Sequence, residues 1–359
     1  MNKYKWEDNI RKVEPYVPGE QPKDKNIIKL NTNENPYGPS PEIEGILKAD
    51  ESVTMDMLRK YPDPTAESLV SELAHFHGVS PENVFVGVGS DDVLAMSFMT
   101  FFNSDKNIIF PDITYSFYPV WAEMLKIPYE TIPLLDDYRI DVDSFLKDNG
   151  GVVIANPNAP TGILLDKASI IRILEQSQSS IVIVDEAYID FAENGSSMID
   201  LIDTYDNLIV VRTFSKSRSL AGLRIGYAVA NKTLIKFLND VKYSYNSYTM
   251  NYPSIMLGTA VIKDDKYFKE TISKVVSTRK WFSEELKRLG FSVLPSSTNF
   301  VFASHESISA KDIFEAAKAE GIYFRYFNSP RIDNYLRITI GTDDDMKTVV
   351  AFLEKYLNK

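Results

Sequence analysis

Short apolar runs with no polar alternation restrict the fold more than any other feature of this chain. In Ile181-Val182-Ile183-Val184 four consecutive residues are apolar and β-branched. Alternate side chains of a strand project to opposite faces, so such a strand must be buried on both. Val84–Val88, Asn107–Phe110, Gly151–Ala155, Leu208–Arg212 and Ile225–Val229 read the same way. Helical patterns lie between most of them, among them Ala66–His77, Asp91–Phe102 and Lys167–Gln176. Strands buried on both faces and alternating with helices predict an α/β fold, a mostly parallel sheet sandwiched by helices.

At 359 residues the chain is too long for one small core. Its character changes near residue 260. A long charged helix over Asp265–Leu289 leads to Phe291–Phe302, a helix near Ala310–Glu320, a strand Tyr335–Ile340 and a last helix Asp343–Tyr356. The expected organisation is therefore an extended arm over 1–41, a large domain over 42–260 and a smaller α+β domain over 261–359. The arm is rich in Pro, Asn and Lys, with one short strand at Ile27–Leu30, and should pack against the small domain or a partner subunit.

Composition narrows the chemistry. A net charge of -11 repels nucleic acid and anionic membrane, so neither is expected as a partner. An anionic ligand must then be held by a local cluster of donors. With no cysteine and three histidines, thiol catalysis is excluded and no metal site is expected. Packing or surface roles suit His75 and His77. No apolar run approaches the ~20 residues that span a bilayer, and Met1–Lys12 lacks the apolar core of a signal peptide, which predicts a cytoplasmic protein.

Ligands of α/β sheets collect beyond the carboxyl ends of the strands, and here those loops carry reactive residues. Gly89-Ser90-Asp91 opens a helix whose N-terminus suits a phosphate, or is an ordinary cap. Asp185 ends a fully apolar strand, where an acid is costly without a positive partner. Lys216 follows the strand Leu208–Arg212 among small hydroxyl residues. Once deprotonated, such an amine can attack a carbonyl. Arg224, eight residues on, has the planar fork that suits a phosphate.

Taken in order, Leu30–Pro39 (LNTNENPYGP), Tyr61-Pro62-Asp63, Gly89-Ser90-Asp91, Thr114-Tyr115, Asn156–Gly162 (NPNAPTG), Asp185–Tyr188 (DEAY), Thr213–Lys216 with Arg224, and Arg337 closely resemble the fold-type I pyridoxal-phosphate aminotransferases. Among these the chain is most similar to the histidinol-phosphate aminotransferases, from Glu14-Pro15-Tyr16 to Leu336–Thr342.

The resemblance implies a role for each residue. Lys216 would hold the cofactor and, once released, move the proton between the substrate Cα and the cofactor C4′. Asp185 would pair with the pyridinium nitrogen, Tyr188 would reach the phenolic oxygen O3′, and Tyr115 would stack on the ring. Ser90, Asp91, Ser215 and Arg224 would hold the cofactor phosphate. Tyr61 would reach that phosphate from the other subunit of a homodimer. Arg337 would take the α-carboxylate of the substrate or its keto-acid counterpart. Tyr16 and Arg325 would approach a distal phosphate of the amino donor, with Arg331 a weaker candidate.

One position departs from the family pattern. The asparagine before Pro-Thr-Gly, which donates to O3′, is Ala159 here, and Asn158 is the candidate substitute. The implied reaction is amino transfer between histidinol phosphate and 2-oxoglutarate, giving imidazole-acetol phosphate and glutamate. Three alternatives stay open: an aminotransferase for aromatic amino acids, a threonine-phosphate decarboxylase, and a non-enzymatic regulator on the same fold. The last usually carries a DNA-binding segment, which an acidic chain of this length has no room for.

Overall fold

The structure is a computed structural model that describes residues 10–23, 26–48, 54–193 and 197–358. In chain order its strands are β1 (Ile28–Lys29), β2 (Val84–Gly87), β3 (Ile108–Pro111), β4 (Tyr129–Ile132), β5 (Gly151–Ala155), β6 (Val182–Asp185), β7 (Leu208–Thr213), β8 (Gly226–Ala230), β9 (Phe291–Val293), β10 (Phe300–His305), β11 (Ile322–Tyr323), β12 (Arg325–Tyr326) and β13 (Leu336–Thr339).

Seven strands form the main sheet in the order β2-β8-β7-β6-β5-β3-β4. β7, β6, β5, β3 and β4 are mutually parallel, and β8 is antiparallel to both of its neighbours. Every residue of β5, β6, β7 and β8 is buried, as unalternated apolar runs require. The period of two divides them between two cores. Val152, Ile154, Val182, Val184 and Val210 enter one, beneath the helices Glu67–His77, Lys167–Gln176 and Tyr252–Lys263. Val153, Ile183, Ile209 and Val211 enter the other, beneath Ser90–Phe101, Phe117–Leu125 and Lys232–Tyr245. Each buried Val or Ile contributes roughly 1.5–3 kcal/mol relative to an exposed one. The sheet is thereby fixed as a rigid platform with its loops at one edge.

A second, antiparallel sheet has the order β12-β13-β10-β9 and a core of its own under the helices Asp265–Arg288, Ala310–Ala319 and Asp343–Leu357. The last of these starts in a capping box between Thr342 and Asp345, and its first turn carries three acids that favour the positive end of the helix dipole. β1 pairs in parallel with β11 as a separate two-stranded sheet, and the Leu30 carbonyl just after β1 accepts from the Thr339 N–H of β13 at 3.0 Å, so the N-terminal segment is tied to the smaller sheet.

The strand-like run Ile322–Arg325 is divided at Phe324. β11 pairs with β1, whereas β12 pairs with β13. Phe291–Phe302 is likewise two paired strands, β9 and the start of β10. No described helix is long and apolar enough to cross a membrane.

Candidate active site

Because β2, β3, β5, β6 and β7 run the same way, their carboxyl ends open at one edge of the sheet. The amino end of antiparallel β8 arrives there too. A cavity of about 260 Å³ lies at that edge, closed on the other side by the smaller sheet and by Tyr16. The loop after β2 contributes Ser90 and Asp91, that after β3 Tyr115, that after β6 Tyr188, and that after β7 Ser215 and Lys216. Asp185 is the last residue of β6, Arg224 comes from the turn before β8, and Arg325 and Arg337 come from β12 and β13. Residues scattered from 16 to 337 therefore share one wall.

One end of the cavity is built for an anion. The helix Ser90–Phe101 starts there, and Gly89 precedes it with φ 88, a left-handed conformation that glycine adopts without strain. A Cβ at Gly89 would stand 2.4 Å from the Arg224 guanidinium, and one at Gly226 would stand 2.2 Å from the Ser90 nitrogen. Only glycines let these segments approach so closely. Arg224 Nη1 lies 3.4 Å from Ser215 Oγ and Nη2 lies 3.3 Å from Asp91 Oδ2, so guanidinium, hydroxyl and helix N-terminus converge. Tyr115 donates to Asp91 Oδ1 at 2.8 Å, which fixes its ring beside this end.

At the other end Asp185 is buried. Tyr118 Oη donates to its Oδ2 at 3.0 Å and the Ala187 N–H to its Oδ1 at 3.2 Å. Burial pushes its carboxyl up to about 6 despite both donors and the more distant charge of Lys216, and among the described residues no cation forms an ion pair with it. Tyr118 is fully buried, and sequence reasoning did not find it.

Between the two ends lie Lys216 and Tyr188. Lys216 Nζ donates to the Thr32 carbonyl at 3.1 Å and lies 5.7 Å from the centre of the Tyr188 ring. Below their loops runs a buried ion network that the sequence did not suggest. Arg212 pairs with Asp190 and lies 3.9 Å from Glu186, and Ser217, next to Lys216, donates to Asp190 at 2.6 Å. Burial pushes Glu186 up to about 7, opposed chiefly by Arg212. The network ties the loop carrying Tyr188 to the loop carrying Lys216.

On the smaller sheet Arg325 and Arg337 stand directly opposite each other in the β12–β13 register. Arg337 donates to the Asn31 carbonyl at 3.2 Å, but its Nε is buried without a partner. Among the described residues no carboxylate pairs with Arg337. Burial first, and then Arg325, hold its guanidinium below the ordinary arginine range, with Tyr188 opposing. Two facing cations, one with an orphaned donor, call for an anion between them. Arg325 also donates to the Val17 carbonyl at 3.3 Å, and Tyr16 stacks on Phe117 with ring centres 4.3 Å apart, so the arm lies across the cavity mouth.

Three residues singled out from the sequence lie elsewhere. Arg331 is turned away and engages Asp112 at 3.0 Å and the Leu134 carbonyl at 2.7 Å, so it is not available to a distal phosphate. Asn158 does not line the cavity. Its amide donates to Ile113 and Thr161 and accepts from Thr114, whereas Ala159 lines the cavity. Tyr61 is 77% exposed and stacks on Tyr248, outside this subunit's cavity.

The arrangement suits a flat ligand with an anionic group at the helix N-terminus, a basic ring nitrogen at Asp185 and an electrophilic carbon at Lys216. A family model described as aminotransferase class I and II matches residues 25–353. The chain belongs to the class I and II aminotransferases. This aminotransferase is 49% identical over 359 residues to the histidinol-phosphate aminotransferase of Clostridium botulinum (strain Okra / Type B1), covering 100% of both chains. Its structure is similar to that of a putative histidinol-phosphate aminotransferase from Erwinia carotovora atroseptica, with TM-score 0.84 at 25% identity, covering 93% of this chain and 96% of that one. It also matches a histidinol-phosphate aminotransferase from Sinorhizobium meliloti in complex with pyridoxal-5'-phosphate, with TM-score 0.84 at 24% identity, over 92% and 91% of the two chains.

Proposed function

We propose that this aminotransferase uses pyridoxal phosphate to move an amino group from histidinol phosphate to 2-oxoglutarate, yielding glutamate. The full-length likeness to a histidinol-phosphate aminotransferase carries the reading, and the paired arginines of β12 and β13 support it. The donor set fits the cofactor. The N–H groups of Ser90 and Asp91, the Ser215 hydroxyl and Arg224 would hold its phosphate. Asp185, short of a cation, would keep the ring nitrogen protonated, and Tyr188 would donate to the phenolic oxygen. Tyr115 would cover the ring. When bound, the cofactor supplies an electron sink for the pair left behind as the substrate Cα proton departs.

Lys216 would hold the cofactor and then, as a free amine, would carry that proton from Cα to C4′. A base acts only within hydrogen-bond reach of the proton it moves. The contact to the Thr32 carbonyl and the network under Ser217 limit where the amine can go. Arg337 would take the α-carboxylate of glutamate or 2-oxoglutarate through its planar fork. Arg325 and Tyr16 would take the phosphate of histidinol phosphate, and the arm would exclude water.

Tyr61, exposed beside Tyr248 and near the exposed Leu58 and Met55, suits a two-fold homodimer in which it completes the partner's phosphate site. We read the protein as cytoplasmic.

A half-reaction screen tests the substrate. The protein loaded with pyridoxal phosphate is mixed with single amino donors, and conversion to pyridoxamine phosphate is followed by absorbance. Histidinol phosphate should react well ahead of histidinol and of aromatic amino acids. Faster reaction with an aromatic amino acid, or CO₂ release from threonine phosphate without a keto acid, would overturn the assignment.

A further inference from the structure

The motif Leu30–Pro39 has no chemical role in this reading, yet three consecutive residues in it each touch a different functional side chain. The Asn31 carbonyl accepts from Arg337 at 3.2 Å, and the Thr32 carbonyl accepts from Lys216 at 3.1 Å. The Asn33 amide Nδ2 donates to Tyr188 Oη at 2.9 Å. Asn33 is itself tightly held and almost fully buried. Its N–H donates to Thr339 Oγ1 at 3.0 Å, the Thr339 hydroxyl donates to its Oδ1 at 3.1 Å, and its carbonyl accepts from Asn299 at 2.9 Å. With Oδ1 occupied by Thr339, Nδ2 is left facing the tyrosine. Its φ of 57 lies in the left-handed region, which asparagine tolerates better than most residues.

We propose that Asn33 is a positioning residue for Tyr188 that compensates for the alanine at 159. A hydroxyl that accepts a bond from one group directs its own proton elsewhere and donates it more strongly. Tyr188 lines the cavity, so that proton is free to point at the cofactor's phenolic oxygen. The usual second donor to this oxygen is missing, because Ala159 has no amide and Asn158 is spent on Ile113 and Thr161. The hydrogen bond on that oxygen then rests on Tyr188, and its strength on Asn33. This inference depends on the reading that places Tyr188 opposite the phenolic oxygen.

The readout is the pH midpoint of the visible absorbance of the bound cofactor. A donor stabilises the deprotonated oxygen. Losing it makes the oxygen hold more tightly the proton shared with the lysine nitrogen, and the midpoint rises. Asn33→Gly keeps the left-handed backbone accessible and removes the amide. It should raise the midpoint by about 0.5 pH unit, the size of a weakened hydrogen bond.

Tyr188→Phe should raise the midpoint further, and the double variant should go no further than Tyr188→Phe alone. Adding Ala159→Asn to Asn33→Gly should bring the midpoint back toward the parent value. Thr339→Val, nearly isosteric, removes only the group that orients Asn33 and should give a smaller rise, so the test survives if Asn33→Gly does not fold. A midpoint unmoved in both Asn33→Gly and Thr339→Val, while Tyr188→Phe shifts it, overturns the role of Asn33 alone. A midpoint unmoved in Tyr188→Phe overturns the placement of Tyr188 and this inference with it.

Discussion

Asp185→Asn should stabilise the cofactor-free protein while destroying its activity. Folding raises this carboxyl from 3.8 to about 6, so its charged form is disfavoured in the folded state. The penalty is absent below about 3.8, develops as pH rises to about 6, and is complete above that. At about 1.36 kcal/mol per pH unit, it amounts to roughly 3 kcal/mol at neutral pH. Asparagine removes the charge but has one oxygen for two donors, the Tyr118 hydroxyl and the Ala187 N–H. Losing one of those bonds returns about 1 kcal/mol. The net gain is about 2 kcal/mol, which should raise the thermal midpoint by a few degrees. The assay is thermal and denaturant unfolding of both proteins, stripped of cofactor, at pH 7.5 and pH 4.5. The advantage of the variant should be clear at the higher pH and shrink at the lower one. With cofactor bound, the proposed pairing would set the ring nitrogen's positive charge beside this carboxylate, and the advantage should disappear. A variant less stable than the parent at pH 7.5 would show that Asp185 is not paying a burial penalty.

The other expectations are more direct. Borohydride reduction of the loaded protein should fix the cofactor on Lys216, and Lys216→Ala should still bind it without turnover; a label mapped to another lysine contradicts the assignment. Arg325→Leu should cost ~1.5–3 kcal/mol, or about 10- to 150-fold, in affinity for a phosphorylated donor. An equal loss for the unphosphorylated analogue would remove Arg325 from the phosphate site. Gly226→Ala places a methyl against the Gly89–Ser90 backbone and should weaken cofactor binding at least about tenfold, the equivalent of ~1.4 kcal/mol; titration showing unchanged affinity would mean the turn can yield. Sedimentation should find a dimer at assay concentration, and a fully active monomer would refute the role given to Tyr61.

The fold was legible wherever burial on both faces left unalternated apolar runs. Gly151–Ala155 and Lys167–Gln176 were read to the residue, and β6, β7 and β8 to within one. The edge strand β4 was not seen, since Tyr129-Glu130-Thr131 is partly exposed and polar. The helix Tyr252–Lys263 was also not seen, because most of its turns are buried and it lacks a clean polar stripe. Loop residues that line the cavity were readable as a motif, for Ser90, Asp91, Lys216 and Arg224 sit close together along the chain or at strand ends. What the sequence hid were partners brought in by tertiary packing. Tyr118 on Asp185, Arg212 between Glu186 and Asp190, and Asn33 on Tyr188 involve residues tens or hundreds apart, with no local pattern to mark them. The same packing decides against Arg331, whose nearest carboxylate, Asp112, lies far upstream in sequence.

The cavity wall draws on Tyr16 near one end of the chain and Arg337 near the other. No fragment that lacks either of these segments can therefore assemble it, and the cofactor should act as a clasp on the finished molecule. A ligand present at 100 times its Kd adds about 2.7 kcal/mol to the state that binds it. Here that increment should be felt at the β1–β11 pairing and at the helix Asp343–Leu357 as much as at the central sheet. Limited proteolysis should slow at both extremities together when the cofactor is added, although neither extremity holds its phosphate.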